Sequence, residues 1–281
     1  MPCDVVTDTY SVRLPARYEI RRLGPEIEPW IRALAAYILM LDFQIFSPLY
    51  KDRQLVRRLL EDNPKRKASG LHCLKSGLSY RIFDKEYQFK KPESIATGGA
   101  VYWHEIDPKE PNLEITGPQR LLDAMDFPLI SFALSCDKAD PTPPEVYAAT
   151  SQFIEEYEYT RTLAPTASSS NSEVEELKKG EVLVRSGTAT RRDYLGHGLM
   201  KSLSHFVMHD AHARGFKKIE ILVLHDAVSK VWSNPPAPYT AEVVAQTDIR
   251  EGEVEVDGKK IKPFSGLDLG LYRNIAVHLV G

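Results

Sequence analysis

Two glycines one residue apart, Gly196 and Gly198, stand between a β-prone run and an amphipathic run. The β-prone run ends in Thr188-Ala189-Thr190, and the amphipathic run begins at Leu199-Met200. Where a helix starts behind small residues, its first backbone N–H groups point outward without intrahelical partners. The helix dipole adds partial positive charge at the same place. Strand, tight turn and helix N-terminus in succession therefore make an anion site, and phosphate is the commonest anion to expect there.

Other constellations have plainer readings. His205, His209 and His212 share one helical face at spacings of four and three. Two such histidines could hold Zn²⁺ with a third ligand. No Glu follows either of the first two in the H-E-x-x-H manner, so a solvated polar face is expected and no metal is called for. The acidic run at 155–158 and the basic run at 65–67 read as solvated surface. No P-loop pattern is present. The two glycines lack the third glycine and the acidic residue of a dinucleotide fingerprint.

The 281 residues carry a net charge of -3, so no global basic field draws nucleic acid or anionic membrane. Three dispersed cysteines without metal-ligand spacing suit a reducing, cytoplasmic setting. The first residues carry Asp4 and Asp8 and no apolar core, unlike a secretory signal. The most apolar run, 30–41, is too short to span a bilayer and contains Arg32.

The elements that must position the glycines follow from periodicity. Residues 17–23 alternate as a first strand, broken by Gly24-Pro25, and 26–42 read as a helix with Trp30, Leu34, Tyr37, Ile38 and Leu41 on one face. A second helix follows Asp52. Segments 78–89 and 95–106 have strand composition and suggest an antiparallel hairpin. Prolines crowd 107–180, which reads as an insertion or lid with helices around 119–125 and 144–160 and a polar, mobile loop at 165–173. Then come a strand at 181–190, the glycines, a helix ended by Gly215, and the clearest strand, 216–224, whose continuously apolar tail predicts cover on both faces. A short helix at 227–232, a strand at 239–246, a hairpin at Asp257-Gly258 and a last strand at 272–280 close the chain.

At 188–232 this order, with the partial match Leu195-Gly196-His197-Gly198-Leu199-Met200, resembles the GNAT superfamily of acyl-CoA-dependent N-acyltransferases. The family signature is R/Q-x-x-G-x-G/A. Gly198 and the helix fit it, whereas Leu195 stands at its Arg or Gln and Met200 at its final small residue. The resemblance implies an α/β fold of the α+β kind. A mixed, mostly antiparallel central sheet would carry flanking helices and a splayed strand pair, all in a single domain spanning 1–281. It implies acetyl-CoA as cosubstrate, its pyrophosphate on the backbone N–H groups of Leu195, Gly196, His197, Gly198, Leu199 and Met200. Thr188, Ala189 and Thr190 would pair with the pantetheine amides, one N–H polarising the thioester. The acceptor would be a primary amine of a small molecule or peptide, attacking directly in a ternary complex.

Such chemistry needs a group to take the ammonium proton and one to protonate the leaving thiolate. Many family members use a Tyr where this chain has Trp232, and indole is no usable acid. His225 and Asp226, ending the strand that the family splays, are the acid/base candidates, with Tyr239 a third. Each has a plainer reading beside it: His225 as a surface or capping residue, Asp226 as a helix N-cap. A CoA-binding module without efficient catalysis is the alternative.

Overall fold

Strand β1 (Tyr18–Arg22), buried over Tyr18, Glu19 and Ile20, pairs antiparallel with β2 (Tyr80–Asp84) so that Ile20 faces Ile82. Gly24-Pro25 ends β1, and a single 3-10 turn leads into α1 (Glu28–Tyr37), whose Ile31, Leu34 and Tyr37 are buried. The helix then widens into a π turn over Ile38–Asp42. The computed structural model describes residues 12–50, 54–62, 71–144, 154, 156–166, 178–268 and 270–279. The predicted cap Asp52, the basic run at 65–67 and the polar loop from 167 lie outside them.

The chain divides into two units, one of Met1–Ala133 with Thr188–Leu203, the other of Leu134–Gly187 with Ser204–Gly281. The first holds β1, α1, α2 (Leu55–Asp62), α3 (Leu71–Lys75), β2, α4 (Pro92–Thr97), β3 (Ala100–Val101), α5 (Leu113–Asp123) and β4 (Met125–Asp126). It also holds the first half of β5 (Leu129–Asp137), and its strand order runs β1-β2-β5. The second holds α6 (Glu156–Thr162), most of β6 (Val182–Thr190), most of α7 (Leu199–Ala213) and β7 (Lys218–Val223). It continues with α8 (Asp226–Trp232), β8 (Thr240–Asp248), β9 (Val254–Val256), β10 (Lys259–Ile261) and β11 (Leu271–His278), in the strand order β5-β6-β7-β11-β8.

The result is a mixed α/β fold with a mostly antiparallel central sheet. β6 and β7 pair in parallel, whereas β7 with β11 and β11 with β8 pair antiparallel. The β6/β7 ladder runs from Val182/Lys218 to Arg185/Ile221 and stops there, although both strands continue. Asp257 and Gly258 both have positive φ, as a type I′ turn between β9 and β10 requires.

Three expectations are corrected. Residues 95–106 form α4, the two-residue β3 and a 3-10 turn rather than a strand, because Pro92 starts a helix and Gly98, at φ +77, ends it. β2 therefore pairs with β1 and β5, not with a hairpin partner. The stretch 107–180 is not wholly an insertion. Its Leu129–Asp137 is strand β5, paired with β2 and buried along nearly its whole length. A strand buried on both faces shows no alternation, which is why Leu-Ile-Ser-Phe-Ala-Leu-Ser-Cys-Asp carried no period-two signal. Conversely the apolar tail of β7 is not covered on both faces, since Leu222 is 47% exposed.

Candidate functional site

The glycine turn belongs to the first unit, and side chains from distant parts of that unit hold it. β6 ends at Thr190, and Arg191 donates its backbone N–H to Ile130 O (2.8 Å). The Arg191 side chain is 1% exposed. Its Nε and Nη2 donate to the two carboxylate oxygens of Asp193 (3.1 and 3.0 Å), and its Nη1 donates to Met125 O (2.7 Å). Burial alone would lower its pKa, yet Asp193 outweighs that and keeps the cation charged. The rings of Tyr87, Phe127 and Tyr194 lie within 5.9 Å of the guanidinium.

Tyr194 is fixed from another direction. Its hydroxyl donates to Asp84 Oδ2 (2.8 Å), and Arg17 pairs with both oxygens of the same carboxylate (2.8 and 2.6 Å). Burial pushes the Asp84 carboxyl up, but the hydrogen bonds from Arg17 and Tyr194 hold it below the usual range. Burial, and then the bond to Asp84, push the Tyr194 hydroxyl well above its ordinary pKa, so it stays a donor. Earlier on β6, Ser131 Oγ donates to Ala189 O (3.0 Å) and lies 2.8 Å from Thr190 Oγ1.

Beyond Tyr194 the chain turns outward. Leu195 is 58% exposed, and Gly196, His197 and Gly198 are exposed too. Gly196 and Gly198 sit at φ +83 and +70, in the left-handed region that glycine enters without strain. A Cβ at either position would meet no atom within 4 Å. Their lack of side chain therefore serves the backbone conformation and open access, not internal packing. The N–H groups of Gly196, His197, Gly198 and Leu199 donate to no described residue. α7 follows for 15 residues with Leu199 and Leu203 buried, which anchors the helix start. This is an open cradle of backbone donors of the kind that receives an anionic group.

The acid/base candidates lie in the second unit. His225 is the N-cap of α8, and its Nδ1 accepts from Ala227 N (3.1 Å). Accepting there requires the neutral ring with its proton on Nε2. Asp226 is the first helical residue rather than the N-cap, and it pairs with Arg273 Nη1 (3.1 Å). Tyr239 is 7% exposed, and its hydroxyl lies 3.0 Å from His209 Nδ1 and 3.1 Å from His212 Nδ1. The histidine face is thus only partly solvated, since Tyr239 covers two of its rings. Burial, and then the neighbouring His212, lower the His209 pKa.

Trp232 is fully buried, and Arg185 reaches over its ring at 5.6 Å. Arg185 also donates to Ser135 Oγ (2.9 Å) and Gly187 O (3.2 Å), at the last rung of the β6/β7 ladder. Arg191, Asp84 and Arg17 escaped the sequence reading. The Tyr194–Asp84 contact spans 110 positions, and no local pattern announces it.

No protein-family model matches the sequence, and neither does any curated protein. Solved structures do match. Arylalkylamine N-acetyltransferase 2 from Aedes aegypti superposes with a TM-score of 0.55 at 11% identity, over 94% of this chain and 99% of that one. Mosquito arylalkylamine N-acetyltransferase like 5b gives 0.50 at 14% identity, over 94% and 100%. The chain therefore has the fold of these acetyltransferases, the GNAT fold that the glycine context resembles.

Proposed function

We propose that this protein is an acetyl-CoA-dependent N-acetyltransferase that acylates a primary amine of a small molecule or peptide in a ternary complex. The observation that carries the reading is the open backbone cradle at Gly196, His197, Gly198 and Leu199, in a fold shared with N-acetyltransferases. Acetyl-CoA supplies an acyl group activated by a thiol leaving group. The chain's part is to hold the diphosphate on backbone N–H groups, leaving Thr188, Ala189 and Thr190 to align the pantetheine arm along β6. His225 and Asp226 remain the acid/base candidates, with His225 favoured because its neutral ring can take a proton at the capping Nδ1 when that bond opens.

A second reading rests on Leu195 and Trp232. Neither residue can act as its family counterpart does, so the module binds CoA without efficient turnover. Free-thiol release from acetyl-CoA over a panel of aryl-alkyl, polyamine and peptide amines separates the two. Amine-dependent thiol release supports the transferase. CoA binding with no release across the panel supports the binding module.

A further inference from the structure

The first unit contains a polar pair that the cradle does not use. The Tyr37 side chain is 1% exposed, and its hydroxyl makes no hydrogen bond with any described residue. A buried hydroxyl without a partner costs stability, so such an atom marks a missing one. Tyr37 ends α1 at the point where the helix widens into the Ile38–Asp42 π turn. Turns of this kind often mark functional positions. The last residue of that turn, Asp42, has a side chain only 15% exposed.

Asp42 Oδ1 lies 2.6 Å from Arg192 Nη2, an ion pair without the alignment of a hydrogen bond. Arg192 opens the turn that leads to the glycines, and Leu195 N donates to its carbonyl (3.3 Å). Its neighbours Arg191 and Tyr194 are each pinned by strong bonds. The Arg192 side chain, by contrast, is 53% exposed. A half-exposed ion pair of this kind contributes little and can open.

We infer that this pair exchanges partners on binding. Arg192 turns from Asp42 to the diphosphate on the glycine cradle, and Asp42 with the Tyr37 hydroxyl takes the ammonium of the acceptor amine. An ammonium has three donors and no acceptor, which suits one carboxylate and one phenol oxygen. Arg192 then supplies the cation that Leu195 cannot, from three positions earlier in the chain. The charges also behave consistently. Burial pushes the Asp42 carboxyl up while Arg192 pulls it down, and burial pushes Tyr37 up to about 12, further raised by Asp42. A buried phenol without a partner and a carboxylate short of solvent, at the two ends of one π turn, make a place where a second cation gains most. The inference rests on the CoA reading and adds the amine's anchor and a coupling between the two ligands.

The test is calorimetric titration of CoA into the full chain and its variants. Asp42→Asn releases Arg192 and should tighten CoA binding by about fivefold, whereas Arg192→Gln should weaken it by about tenfold. In the Arg192→Gln background, Asp42→Asn should change nothing. Tightening that persists there shows a general field effect and overturns the exchange. Phenethylammonium chloride should tighten CoA binding to the wild type more than sodium chloride of equal ionic strength, and Asp42→Asn should abolish that gain. Equal effects of the two salts overturn the ammonium site. A wild type that binds no CoA removes the functional reading and this inference with it. A wild type that binds CoA while Asp42→Asn binds no tighter removes this inference alone.

Discussion

The glycine cradle and the His225/Asp226/Tyr239 region solve different problems, and they differ in what their polar groups are doing. In the cradle, backbone N–H groups stand open while side chains behind them are locked. Arg191 is held by Asp193 and Met125 O, and Tyr194 by Asp84. In the other region the side chains are the candidates, and each already has an engagement. His225 caps α8, Asp226 pairs with Arg273, and Tyr239 lies against His209 and His212. Binding an anion through the backbone needs only rigidity from the side chains. Proton transfer needs a side chain that can leave its partner. The cradle is therefore the better-defined half of the proposal.

The largest expected effect breaks the cradle itself. Gly198→Val forces a β-branched residue to φ +70 and fills the open space above the N–H groups. Acetyl-CoA affinity should fall by roughly a hundredfold or more, on the order of 3 kcal/mol. The thermal midpoint should drop only by what the strained dihedral costs, about 1–2 kcal/mol. Retained affinity would remove the cradle from the account.

Removing the support behind the cradle comes next. Arg191→Met leaves the carbonyls of Met125 and Phe127 short of a donor in a buried place. The expected loss is about 2–4 kcal/mol in a denaturant titration, discounted because Asp193 is partly exposed. A variant as stable as the wild type would show that the turn is not held by this side chain.

In the second region the effects should be smaller and more telling. His225→Ala removes the cap and should cost about 1 kcal/mol. If His225 also takes the ammonium proton, the rate against pH loses its acidic limb as well. A stability loss with an unchanged profile would reduce the residue to its cap. The smallest effect concerns His209. Its pKa is lowered in the folded protein, so protonation favours the unfolded chain. The stability it contributes is present above the ordinary histidine range, at about 6.5. It is lost as pH falls through the depressed value. His209→Gln should flatten the thermal midpoint between about pH 7 and 5, and an equally steep profile would assign the dependence elsewhere.

Contiguity explains what could be read in advance. Thr188-Ala189-Thr190, the glycines and α7 lie within one short run, and the open turn is made by backbone alone, so periodicity and residue size were enough to place it. The strands from β6 onward were equally visible, each alternating or bounded by turn residues. β5 was not, because a strand buried on both faces has no polar beat and was masked by neighbouring prolines. The partners of the cradle were also invisible, since Asp84 and Asp42 meet the turn across long stretches of chain. The acid/base group remains the least legible part, because a cap, a salt bridge and a catalytic side chain use the same residue types.

The central claim is that this fold carries a working CoA cradle, and a thermal shift with acetyl-CoA tests it most directly. At a hundredfold excess over its dissociation constant, a ligand that binds only the folded chain stabilises it by about 2.7 kcal/mol. For a chain of this size that raises the midpoint by roughly 5 °C. The account predicts such a rise at millimolar acetyl-CoA, absent in Gly198→Val. No rise in the wild type at that concentration, or the same rise in the glycine variant, would contradict it.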